Sequence, residues 1–156
     1  MSVSIEDSYA PLSPRQLEEA ESRLAIELPQ EYRAFLLAHN GGRPSPDAFQ
    51  MEGRWEMVDR FLGIHEGEHD NLLDYVKAYA GRLPAELLPI AHDAFGNLIC
   101  LAVRGPEHGG VYFWDHEWEA GRGEPPGYDN VTCVAESLDA FLASMSALPD
   151  EEDVPA

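Results

Sequence analysis

The apolar positions change period several times along the chain, and each change marks a predicted element. Leu17, Ala20 and Leu24 recur at spacings of three and four, one stripe of a helix, while Glu18, Glu19, Ser22 and Arg23 face the other way. The residues before the stripe fit a helix entry in several ways at once. Ser13 suits the N-cap, Pro14 the first turn, Gln16 the returning half of a capping box, and Leu12 with Leu17 a hydrophobic staple. A second helix is predicted from Pro29, with Tyr32, Phe35, Leu36 and His39 inward. Asn40-Gly41-Gly42 stops it with residues that accept positive φ.

After Arg43-Pro44-Ser45-Pro46-Asp47 the spacing changes. Phe49, Met51, Trp55, Met57, Phe61 and Ile64 lie in runs suited to strands, and two short strands are expected, with a turn at Glu52-Gly53-Arg54. The polar run from His65 to Asp70 reads as a loop, after which Asp70 or Asn71 caps a helix that carries Leu72, Leu73, Val76, Tyr79 and Ala80 and ends at Gly81. A strand meander follows: Leu88 to Ala91, Leu98 to Val103, Val111 to about Asp115, and Val131 to Ala135, with turns at Asp93–Asn97 and Arg104–Gly110 and a Gly/Pro-rich loop from Glu119 to Asn130. Ser137 then caps a last helix facing inward through Leu138, Phe141, Leu142 and Met145. Helices around an antiparallel meander predict an α+β fold, a single domain with its helices packed on one face of a twisted, mainly antiparallel sheet. Its expected bounds are residues 12–146, with an N-terminal extension at 1–11 and an acidic tail at 147–156.

Charge changes the picture most. The 29 acids against 10 bases leave a formal net charge of −19, which repels nucleic acid backbones and attracts basic proteins by long-range steering. Lys77 is the only lysine, so the positive groups are almost all arginine, the better partner for fixed carboxylate pairing. No apolar run approaches the roughly 20 residues a membrane helix needs. The first residues, with Glu6 and Asp7 and no basic start, do not read as a secretion signal, and a cytoplasmic location is expected. Cys100 and Cys133 each sit in an apolar run and are expected as buried, reduced thiols.

Two blocks carry a family resemblance. Leu24 to Pro44, LAIELPQEYRAFLLAHNGGRP, has a Leu-Pro helix entry, an acidic-aromatic pair, a Phe-Leu face and a closing Asn-Gly-Gly. Leu87 to Glu119 follows with a Leu-Pro-Ile-Ala strand, a Gly turn, an apolar strand and an aromatic strand ending Trp-Asp-His-Glu. In this order and at this separation they resemble the SUKH superfamily, over about Leu12 to Met145. The chain departs from the pattern at Asn97 and Ala102, where relatives often carry acids. The resemblance implies an α+β fold and, as in most bacterial members, an immunity protein that binds and neutralises a partner toxin, frequently a nuclease. A fungal relative regulates cell-wall synthesis, so the alternative it implies is a noncatalytic scaffold or regulator of wall synthesis or signalling.

The densest chemistry lies in Gly109 to Glu119, GGVYFWDHEWE. Alternation predicts Val111, Phe113 and Asp115 on one face of a strand and Tyr112, Trp114 and His116 on the other, one set being core. A metal would use His116 with Asp115 or Glu117, joined by His92 and Asp93 or by His65, Glu66 and His69. Gly67 interrupts the last group and strand neighbours point apart, so no three ligands are convincingly spaced, and neither metal nor cofactor is expected. Catalysis lacks a nucleophile beside a base, a Gly-x-Ser-x-Gly elbow or a phosphate-cradling loop with its lysine. An enzyme is therefore not expected. Aromatic anchors beside acids suit a basic protein partner better, and Asp93, Asp115, His116, Glu117, Trp118, Glu119 and Trp55 are the expected contact residues for a cognate, basic toxin domain. Phe113, Trp114, Tyr32 and Phe35 are assigned to the core, and His39 and His92 to structural roles.

Overall fold

The helix entry closes as its residues predict in the computed structural model, which describes residues 3–105 and 108–148. Gln16 N–H donates to Ser13 Oγ at 3.1 Å and Ser13 N–H to Gln16 Oε1 at 2.9 Å. The elements begin with β1 (Ser4–Glu6), α1 (Pro14–Leu24), α2 (Gln30–Ala38), β2 (Arg43–Ser45), β3 (Ala48–Met51), β4 (Arg54–Met57) and β5 (Arg60–Phe61). They continue with α3 (Leu72–Ala78), β6 (Leu87–His92), β7 (Leu98–Ala102), β8 (Val111–Trp114), a 3-10 turn at His116–Trp118, β9 (Val131–Ala135) and α4 (Leu138–Ser144). Asn71, not Asp70, caps α3, and Ser137 caps α4. The second helix stops one residue early: His39 is already extended and half-buried, its ring 5.7 Å from that of Phe35.

Strands β5 to β9 form one antiparallel sheet in chain order, and β3 pairs with β4 as a separate hairpin. Alternation along β7 and β8 divides the core in two. Ile99, Leu101, Val111 and Phe113 pack with Leu17, Leu36, Phe49 and Phe141, under α1, α2, α4 and the hairpin. Leu98, Cys100, Ala102, Tyr112 and Trp114 are buried on the opposite face, where Tyr75, Tyr79 and Leu83 cover them and the Tyr79 ring meets Trp114 edge-on at 5.7 Å. Both residue sets of β8 are therefore core, because the chain leaving α3 folds over the second face.

That cover stops short of the outer strand. Cys133 on β9 stands opposite Tyr112 and is exposed, which corrects the expectation of a buried thiol. An apolar run at a sheet edge buries only the side that a neighbouring element covers. Cys100, in the middle of the sheet, is buried as expected, and burial pushes its thiol pKa up.

The segment expected as an extension is tied to the domain, since β1 pairs antiparallel with β2. Asn40 holds this corner: its Nδ2 donates to the carbonyls of Ala10 and Ile64, both at 2.8 Å, and its Oδ1 accepts from Ile64 N–H at 2.7 Å. Most of the predicted acidic tail, residues 149–156, lies outside the described residues. No described helix is long and apolar enough to cross a membrane.

The buried Tyr32 hydroxyl lacks a hydrogen-bond partner among the described residues, and burial also raises its pKa. An unsatisfied hydroxyl opposes folding, so Tyr32→Phe is expected to raise stability by about 1 kcal/mol, read as a higher urea midpoint with an unchanged slope.

Candidate functional site

One end of the sheet, where β6 and β8 finish and β7 begins, carries two turns locked together by side chains. In the first, Asp93 Oδ1 accepts from Phe95 N–H and Asn97 N–H, each at 2.8 Å, and Oδ2 accepts from Asn97 Nδ2 at 2.8 Å. In the second, Asp115 caps the 3-10 turn by accepting from Glu117 N–H at 3.0 Å, and Asn130 clamps Asp115 through both main-chain groups of that residue. Asn97 joins the turns, its Oδ1 accepting from His116 N–H at 3.0 Å while its Nδ2 serves Asp93. A carboxylate at position 97 could not do both, because it has no donor. The departure from an acid here is thus a hinge pin between two loops. They touch closely, for a Cβ added to Gly96 would lie 3.3 Å from the His116 ring.

The consequence is an exposed aromatic pair. Phe95 is 77% accessible at the tip of the first turn and Trp118 is 74% accessible at the end of the second, the most exposed large hydrophobic side chains among the described residues. Fixing both turns by hydrogen bonds lowers the entropy lost when such rings are buried by a partner.

The expected contact residues separate into distinct positions. Glu117 and Trp118 face solvent, and Asp115 and His116 are half-buried beside them. Asp93 is only 5% accessible with both oxygens engaged, so it builds the rim from within and does not offer a free carboxylate. Glu119 is also committed: Arg82 donates to it through Nε at 3.1 Å and Nη2 at 2.9 Å, and the same guanidinium stacks over the Tyr79 ring at 4.4 Å. Trp55 is half-buried on β4, and no ring contact among the described residues brings it against Phe95 or Trp118. Its neighbour Glu56 does feel the rim. Burial raises the Glu56 carboxyl above its ordinary range, Arg54 pulls it back, and the charges of Asp93 and Asp115 add to the rise. Local acids therefore crowd this end of the sheet.

Sequence reasoning missed Phe95 and Arg82. A phenylalanine inside a Gly-containing turn, where strand alternation has already ended, was the available signal for Phe95. Arg82 carried none, since its partner lies 37 residues away.

A second polar cluster sits between α3 and the β5 edge. His92 Nε2 lies 2.6 Å from Asp70 Oδ1 and Nδ1 lies 2.9 Å from the Asp93 carbonyl, so both ring nitrogens face oxygens. Arg60 Nε is 3.5 Å from Asp70 Oδ2, and Tyr75 stacks on His92 at 5.8 Å. Burial first, then the charges of Asp70, Tyr79 and Asp59, push the Tyr75 phenol up to about 12. These contacts tie an edge strand, a helix and β6 together, the structural role expected for His92. Among the described residues no three His, Cys, Asp or Glu side chains are grouped to hold a metal ion.

The SPbeta prophage-derived uncharacterized protein YokK of Bacillus subtilis (strain 168) is 27% identical to this chain over 157 residues, an alignment spanning 88% of this chain and 77% of the relative. The sequence profile of the SMI1 / KNR4 family (SUKH-1) matches residues 11–144, which contain both turns of the rim and every strand from β2 to β9. On that match over most of its length, the chain belongs to the SMI1 / KNR4 family (SUKH-1).

Proposed function

We propose that the protein is an immunity factor that binds a basic toxin domain one to one and blocks it without chemistry of its own, using the acidic rim around Phe95 and Trp118. Family membership and a prophage-derived relative support this reading. The observation that carries it is the aromatic pair held at high exposure on two interlocked turns among acids. Two rings supply area that loses water on contact, and the exposed Glu117, with half-buried Asp115 beside it, supplies orientation and speed of encounter.

The partner to test is a basic toxin domain encoded beside this chain's gene. Mixed in equal amounts, the two should form a one-to-one complex with the toxin's activity abolished; an active toxin in that complex, or no complex, removes the reading. Glu117→Arg is the clean probe of the acids, because Glu119 is already spent on Arg82. It is expected to slow association by roughly threefold to tenfold at low salt, with little change in dissociation and a flatter salt dependence, in stopped-flow mixing. Kinetics identical to the parent protein would leave the acids without a role in encounter.

A further inference from the structure

The sheet ends on a strand with one free main-chain edge, although a bulge at Val134 interrupts its pairing with β8 and α4 and β3 lie against it. β9 reads Val131-Thr132-Cys133-Val134-Ala135, with no charge and no proline, and it pairs only with β8. Among the described residues no main-chain hydrogen bond reaches β9 from its outer side, the one further bond being Val131 N–H to the Tyr128 carbonyl at its start. Proteins commonly protect such edges with lysine, proline, a bulge on the free side or a covering element, since an uncovered row of N–H and C=O groups templates pairing. Beside this edge, on the second face of the sheet, lies an open cavity of about 600 Å³ lined by Leu87, Ala102, Tyr112, Val131 and Cys133 among others. Cys133 is exposed within it.

We infer that β9 is a strand-addition site, which takes an extended segment of another protein as a sixth strand and receives its alternate apolar side chains in this cavity. Main-chain pairing would give the affinity and the cavity the side-chain preference. Charge selects the occupant. Exposed Asp129 and Glu136 bracket β9, and a second copy running antiparallel would bring acids of one chain toward acids of the other, in a protein of net charge −19. Like charges across a strand pair oppose pairing. The occupant is therefore a short apolar strand with a basic residue at each end. This surface differs from the Phe95–Trp118 rim, and the inference stands whether or not the rim binds a toxin.

The probe is the acetylated, amidated peptide Lys-Val-Thr-Val-Thr-Val-Lys, titrated into the full-length protein by calorimetry with hydrogen exchange read residue by residue. The peptide is expected to bind and to slow exchange within 131–135. Proline in place of its central valine should weaken it on the order of tenfold or more, because a donor is lost and the strand is interrupted. With Glu in place of both lysines it should bind on the order of fivefold more weakly, and Asp129→Lys with Glu136→Lys should reverse that preference. Those two positions are exposed, so the double variant is expected to fold. No binding at millimolar peptide, equal binding of the proline peptide, indifference to the charge swap, or protection elsewhere would each overturn the inference. So would a dimer by sedimentation that protects 131–135 without peptide, since the occupant would then be a second copy.

Discussion

Replacing either Phe95 or Trp118 by alanine is expected to cost about 2 kcal/mol of binding to the proposed basic toxin partner, roughly thirtyfold in Kd, and the pair together to cost more than either alone. The reason is geometric. Both rings are about three-quarters exposed, on turns already fixed by Asp93, Asn97 and Asp115, so a partner gains their burial without ordering the loops that carry them. Their exposure also means that neither replacement opens a cavity, and thermal unfolding of both variants should match the parent protein. Calorimetric titration beside a melting curve separates the two effects. Affinity unchanged in the double variant would remove the aromatic pair from the interface and with it the proposed docking end of the sheet.

The largest expected effect on stability lies at the opposite kind of position, the buried corner at Asn40 and Gly42. Asn40→Ala leaves the Ala10 and Ile64 carbonyls and the Ile64 N–H without the partner they have now, and should destabilise by about 3 kcal/mol. For a domain of this size that is a fall in Tm of roughly 6–12 °C. Gly42→Ala should cost at least as much: at φ +129 its new Cβ would lie 2.5 Å from the Glu6 carbonyl oxygen, which β1 holds in place. Gly53→Ala is the control, because Gly53 also has positive φ but meets nothing within 4 Å, and only backbone strain of about 1 kcal/mol is expected. If all three melt alike, the Asn-Gly-Gly segment is a simple helix stop and not a junction.

Local signals were readable where neighbours in sequence decide the outcome. The capping box at Ser13, the Asn71 and Ser137 caps and the tight turn at Glu52-Gly53 depend on contacts a few residues apart, and each formed. The two family blocks were legible for the same reason, as ordered runs of apolar, turn and acidic residues. Among the site residues, Glu117 and Trp118 could be placed outside because they follow the last apolar position of β8. Asp93 and Glu119 could not be told from them, since an acid in a turn looks the same whether it points to solvent, to its own main chain or to a distant arginine.

The chain's own residues determined the order of the helices and of the meander strands, the α+β class, the acidic character and the family, all of which follow from period, capping and composition, but not the pairing of β1 with β2. Tertiary structure alone decided which acids are free, that both faces of β8 are buried, that Cys133 is not, and that Phe95 stands beside the turn bearing Trp118. Each of those depends on segments far apart in sequence meeting across the sheet, and the strand period of two says which residues share a face without saying what will cover it.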